Sequence, residues 1–118
     1  MTSTAVRGAA RPSLGVSRAA MTGTDSQRER AERIRRQVNA EFDRVAALFR
    51  SVARRQGESK RAETEAVIDI LEDKRAEVMS QQQASYFIRD WQEIGGQVRG
   101  MIFRDARFQA IKSHEAAI

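Results

Sequence analysis

Residues 28–57 read RERAERIRRQVNAEFDRVAALFRSVARRQG, thirty positions with no proline and a glycine only at the last. Ala31, Ile34, Val38, Phe42, Val45, Phe49 and Val52 alternate spacings of three and four. That spacing places all seven on one face of a helix, as a heptad seam does. Most remaining positions are charged: Arg28, Arg30, Arg33, Arg35, Arg36, Glu41, Asp43, Arg44, Arg50, Arg54 and Arg55. An amphipathic helix of about 45 Å follows from a rise of about 1.5 Å per residue. Upstream, order is expected to begin near Thr24. Ser26-Gln27-Arg28-Glu29 fits a capping box, in which the hydroxyl caps the third amide and the glutamate reaches back. Downstream, Gly57 is expected to cap the C-terminus, with Arg54 and Arg55 facing the negative end of the helix dipole.

A second helix is expected to open at Glu58 or Ser59, with a wider apolar stripe of Val67, Ile68, Ile70, Leu71, Val78 and Met79. Ser80-Gln81-Gln82-Gln83 interrupts it, either as a cap for a new helix or as a polar turn of one continuous helix. Beyond it, Phe87, Trp91, Ile94, Val98, Met101 and Phe108 return to three-four spacing, with Asp105 as the one polar intruder. Ile88, Ile102 and Ile111 widen that face. Gly95-Gly96 falls inside the stripe, and such a pair ordinarily marks a turn. Because the phase runs through it unbroken, one kinked helix over 81–112 is favoured against a hairpin opening at Gly95. Gly96 and Gly100, four apart, would let another backbone approach closely.

No alternating strand pattern follows residue 25. The expected fold is all-α: a helical hairpin or three-helix bundle with coiled-coil-like seams. The expected organisation is a basic segment at 1–24, a helical domain at 25–112 and a frayed tail at 113–118. The first segment has no acid, the only proline (Pro12), and Arg7, Arg11 and Arg18 among Ser, Thr, Ala and Gly. Three readings fit it: a disordered basic tail, a cleaved mitochondrial-type presequence, or residues lying before a true start at Met21.

With 118 residues, the chain has room for one domain, and its 41% apolar and 31% charged residues suit a folded one. No apolar run reaches the roughly 18 residues of a transmembrane helix. The absence of cysteine excludes disulfides and thiolate chemistry, and fits a reducing, intracellular compartment.

Catalytic chemistry has few candidates. His114 is the only histidine and sits five residues from the end. A triad built on it would lack a rigid frame. Glu63, Glu65, Asp69, Glu72, Asp73 and Glu77 cluster, but no Glu-x-x-His accompanies them, so they read as a solvated helix face. No phosphate-loop or dinucleotide pattern occurs. A non-enzymatic protein without a cofactor is therefore expected.

Charge leaves one positive feature. Residues 28–61 hold eleven Lys or Arg against five acids, and residues 62–118 hold seven against ten. Glu29 with Arg33 and Glu32 with Arg36 are i,i+4 pairs that neutralise much of the basic stretch. A denser patch remains at Arg50, Arg54, Arg55, Lys60 and Arg61, able to neutralise phosphates. Two functional expectations follow. One is an assembly subunit, or self-associating chain, that packs Phe87, Trp91, Ile94, Val98, Met101 and Phe108 against partner helices. The other is a nucleic-acid-binding helical protein that uses the Arg-rich patch.

Overall fold

The computed structural model describes residues 21–117. The basic segment before Met21, with its presequence and tail readings, lies outside the described residues. Five helices follow in order: α1 (Asp25–Arg54), α2 (Glu58–Met79), α3 (Ala84–Asp90), α4 (Ile94–Phe103) and α5 (Ala106–Ala117). Apart from one bridge between Thr22 and Gln83, there is no strand pairing among the described residues. The chain is all-α.

The capping box forms two residues earlier than its sequence match. The Thr24 hydroxyl accepts from the Gln27 N–H at 3.1 Å, and Gln27 Oε1 accepts from the Thr24 N–H at 2.9 Å. Gly23 explains the shift. Its φ of +131° turns the chain directly into Thr24, a conformation that other residues rarely adopt. Asp25 then sits in the first turn, where the helix dipole favours an anion. Gly57 also differs from expectation. Its φ of −70° is ordinary, and it stands at the N-cap of α2 rather than as a left-handed cap of α1.

The α1 seam is buried at Ala31, Val38, Phe42 and Val45, half-buried at Ile34 and Phe49, and exposed at Val52. A straight helix drifts about 20° per heptad against a 3.5-residue repeat. Over three heptads the seam therefore turns away from the core, and Ala46 and Ala53 rotate in to replace it. α2 contributes Val67, Ile70, Leu71 and Val78. It lies antiparallel to α1 in a register set by polar contacts. Arg35 donates to the Met79 carbonyl at 3.1 Å, Arg75 to Asp43 at 2.6 Å and to Asn39 at 3.2 Å, and Arg50 to Glu72 at 3.4 Å. The Arg75 guanidinium also stands 5.9 Å over the buried Phe42 ring.

The third leg runs parallel to α1, but it is three helices rather than one kinked helix over 81–112. It starts where Thr22 clamps the 80–83 loop: the Thr22 N–H donates to the Gln82 carbonyl at 2.9 Å, and the Ala84 N–H donates to the Thr22 carbonyl at 3.1 Å. Met21 enters the core beside this clamp. Gln83 precedes α3 without a side-chain cap, so Ser80 neither opens a helix nor continues one; it closes α2.

The first break lies at 91–93, before the glycine pair. Trp91 and Glu93 take ψ values of 66° and 71°, which no helix continues. Gln97 holds the two sides together. Its oxygen accepts from the Glu93 N–H at 2.7 Å, and its amide donates to the Asp90 carbonyl. The Glu93 carboxylate caps α4 by accepting from the Gly96 N–H at 3.2 Å. Gly95 and Gly96 thus lie in the first turn of α4. A Cβ at Gly96 would stand 2.5 Å from Glu93 Oε1, so a side chain there would displace the cap. The close neighbours of Gly96 and Gly100 are side chains of α4 and its flanks, not another backbone.

The second break is the polar intruder itself. Asp105 accepts from the Arg107 N–H at 2.8 Å and from its guanidinium, and pairs with Lys74 at 3.2 Å. Arg107 extends to Asp73 at 2.6 Å, which fastens the start of α5 to α2. The Arg107 guanidinium and backbone N–H, with Lys74 beside them, hold the Asp105 carboxyl well below the usual carboxylate range. A depressed folded pKa contributes stability above the unfolded value near 3.8 and loses it as pH falls below that value. Asp105→Asn is therefore expected to flatten the fall of melting temperature between pH 5 and 2. Superimposable pH profiles for both proteins would contradict this role.

At its far end α5 continues through the stretch expected to fray. Glu115 receives Lys60 of α2 at 3.3 Å and Lys112 at 3.2 Å. A hydrogen bond with the neighbouring Glu63 carboxyl, then Lys112 and Lys60, brings its pKa down to about 2. The result is a helical bundle: an α1–α2 hairpin with α3, α4 and α5 laid end to end along it.

Candidate interaction surface

Phe87, Trp91 and Val98 are buried in the chain's own core, and Ile94, Met101 and Phe108 are half-buried against it. The six residues do form one apolar stripe, but the α1–α2 hairpin covers its centre. As a surface open to partners this stripe is corrected by the structure, because the free energy of burying Phe87 and Trp91 is already realised within the monomer.

The open apolar surface is elsewhere. Among the described residues, three large apolar side chains are exposed: Leu48 at 55%, Phe103 at 43% and Val52 at 39%. They stand together. Leu48 and Val52 are one turn apart on α1, and Phe103 ends α4 opposite them. Between the two helices runs a groove of about 270 Å³, walled by Val45, Phe49 and Ile102 and flanked by Arg44 and Arg99. Phe49, Val52 and Phe103 also border a second hollow of about 550 Å³. That hollow extends the apolar strip to Phe108 and Ile111, and Lys60, Glu63, Lys112 and Glu115 ring its mouth. Phe103 and Phe108 brace one another with ring centroids 5.1 Å apart.

Charge at the groove is one-sided. Arg44 grips Glu41 with both nitrogens, at 3.0 and 2.5 Å, which draws the Glu41 carboxyl below its ordinary pKa. Arg99 and Arg55 are exposed, and neither forms an ion pair among the described residues. Arg55 lies three residues past Val52 on the same flank of α1, with its guanidinium 3.4 Å from Ser51 Oγ.

The five basic residues singled out for phosphate do not converge. Arg50, Arg54 and Arg61 line one open cleft of about 750 Å³ between α1 and α2, where the exposed Glu65 and Asp69 also contribute to the wall. Lys60 turns to the other side and serves Glu63 and Glu115. Arg50 is held by Glu72 at 3.4 Å. Arg54 and Arg61 carry no ion pair among the described residues, so the cleft retains a modest basic bias.

Leu48 and Phe103 are the residues that periodicity missed. Each is a large apolar side chain outside the stripe of its own helix, and that mismatch was the available signal. Among the described residues, no three His, Asp or Glu side chains are grouped so as to hold a metal ion, and His114 is exposed on α5. Comparison with known proteins gives no match: no family model, no curated protein and no solved structure matches the chain.

Proposed function

We propose that the chain is a non-enzymatic helical interaction module that docks a partner protein on the strip formed by Leu48, Val52 and Phe103. The observation that carries this reading is the coincidence on one groove of the three exposed large apolar side chains, while the other large apolar side chains among the described residues are buried or half-buried. Scattered single apolar residues on a surface are ordinary, but a contiguous set flanked by polar residues marks a contact site. Partner helices meet this strip rather than the seam of Phe87 and Trp91. The test is size-exclusion chromatography of the tagged full chain in an extract of its source organism. The wild-type chain is expected in a complex larger than itself, and the Leu48→Asp/Phe103→Asp variant at its free size. Elution of both in the same complex would contradict the reading.

A second reading rests on the cleft of Arg50, Arg54 and Arg61, because two of its three arginines are unpaired. On this reading the chain binds phosphate backbones without sequence preference. Fluorescence anisotropy with duplex DNA and structured RNA separates the two. Affinity that falls steeply between about 50 and 200 mM salt, and is lost in Arg54→Glu/Arg61→Glu, would favour nucleic acid. No binding at the lower salt would remove this reading.

A further inference from the structure

We infer that the occupant of the Leu48–Val52–Phe103 groove is an acidic amphipathic helix of another protein; this rests on the docking reading above. Shape is the first argument. The groove is bounded by two helices, α1 and α4, with Leu48 and Val52 on one wall and Phe103 on the other. A helix laid in such a groove offers apolar anchors at i, i+3 or i+4 and i+7, whereas a loop or a flat sheet face would leave its floor unfilled.

Charge is the second argument. Arg44 and Arg99 line the groove and Arg55 follows three residues past Val52, while the nearby Glu41 carboxylate is held by Arg44 and also attracted by Arg99. A partner helix with Asp or Glu beside its anchors would pair with Arg99 and Arg55, while one with Lys or Arg would meet like charge. Complementarity of this kind governs encounter rate and choice of partner more than total affinity.

Two occupants nearer at hand, a second copy and the chain's own N-terminal residues, fit the groove or its charge less well. A second copy docked groove to groove would bring its own Arg44, Arg55 and Arg99 against these. The acidic outer face of α2 on a second copy, with Glu65, Asp69, Asp73 and Glu77, has the right sign but no large apolar side chain exposed. The chain's own residues 1–20 carry Arg7, Arg11 and Arg18 with no acid. A separate acidic helix satisfies both the groove and its rim.

The contact is small, so the association belongs to the transient class. Its dissociation constant is expected in the micromolar range, weakening with salt as the rim charges are screened. The experiment pans a display library of helical peptides of about five turns, with fixed apolar anchors and randomised flanks, against the intact full chain. Enriched sequences are then measured against Leu48→Asp/Phe103→Asp and Arg55→Glu/Arg99→Glu. Acid-rich winners that lose binding in the first variant, and lose roughly tenfold in the second, are the expected result. Basic or neutral winners that still depend on Leu48 and Phe103 would overturn the acidic occupant while leaving the docking surface in place. Winners indifferent to Leu48 and Phe103, or no enrichment at all, would overturn the docking surface and this inference with it. Circular dichroism and melting of both variants accompany the binding, so that a loss of contact is distinguished from a loss of fold.

Discussion

Replacing Phe87 by alanine is expected to cost about 3–5 kcal/mol of stability and to lower the melting temperature by roughly 15 °C or more. Phe87 has no exposed surface, packs edge to face against Tyr86 with centroids 5.0 Å apart, and lies in the cluster with Val38, Phe42 and Trp91. Truncation would leave a cavity in the short helix α3, which is bounded at one end by the Thr22 clamp and at the other by the break at Trp91. Neither end can move inward to fill the space without losing its hydrogen bonds, so the cost should fall toward the upper part of that range. A domain of this size has only about 5–15 kcal/mol of total stability. The variant therefore loses a third of it or more. Chemical denaturation read by tryptophan fluorescence and circular dichroism checks the result. A loss below about 1 kcal/mol would mean that Phe87 is not enclosed as described. Any complex lost in this variant would be lost through unfolding, which makes it a poor probe of docking.

Leu48→Asp/Phe103→Asp is expected to do the reverse. Leu48 is 55% exposed and Phe103 43%, with Phe103 also packed on Phe108, so stability should fall by about 0.5 kcal/mol at Leu48 and by about 1 kcal/mol at Phe103. Binding should fall far more. Buried anchors at the centre of an interface commonly cost 2 kcal/mol or more when removed, about 30-fold each, and a carboxylate placed in an apolar contact adds desolvation. A loss of at least 100-fold for the pair is the expected outcome. Phe103→Asp alone should exceed Leu48→Asp, because the aromatic ring carries more area. Titration of an enriched peptide against each variant, with melting curves alongside, separates the two effects. Reduced stability together with unchanged affinity would reverse the assignment of these residues.

Much of the fold was legible in the sequence, for reasons that differ by helix. α1 could be read because thirty residues hold one amphipathic pattern without a breaker, and such a pattern has no stable strand alternative. Its start near Thr24 was read from the sequence, but the capping box was placed two residues late because two overlapping boxes compete there. The positive φ at Gly23 selects Thr24-Asp25-Ser26-Gln27, and backbone conformation of that kind is not written in side-chain pattern. The third leg failed for a different reason. Three-four spacing reports which residues share a face, not whether the backbone beneath them is continuous. α3, α4 and α5 keep the phase while the chain breaks at Trp91–Glu93, where neither glycine nor proline announces it. The contacts that fix this break, Gln97 to Glu93 and to Asp90, look from sequence like ordinary surface polarity. Asp105 was the visible exception, a carboxylate where the stripe called for an apolar residue, and it marks the second break.

The docking surface was less legible than the fold. Periodicity identifies apolar faces but does not say whether this chain or another one covers them. Phe87, Trp91 and Val98 were assigned to partner helices, yet the α1–α2 hairpin already encloses them through long-range contacts. Leu48 and Phe103 became conspicuous once the core was closed without them. Val52 belonged to the α1 seam, yet the drift of a straight helix against a heptad repeat carried it out of the core.

The most direct test of the exposed strip as docking surface, and of the buried seam as core, is site-specific photo-crosslinking in living cells of the source organism. A benzoylphenylalanine would replace Leu48 in one protein and Phe87 in another, with exposed Ala40 as a third position for background. Irradiation is expected to join another polypeptide to the chain from position 48, to give only intrachain products from position 87, and to give neither at position 40. Capture of a second polypeptide from position 87, with none from position 48, would contradict the account and return the aromatic seam to the role of interface.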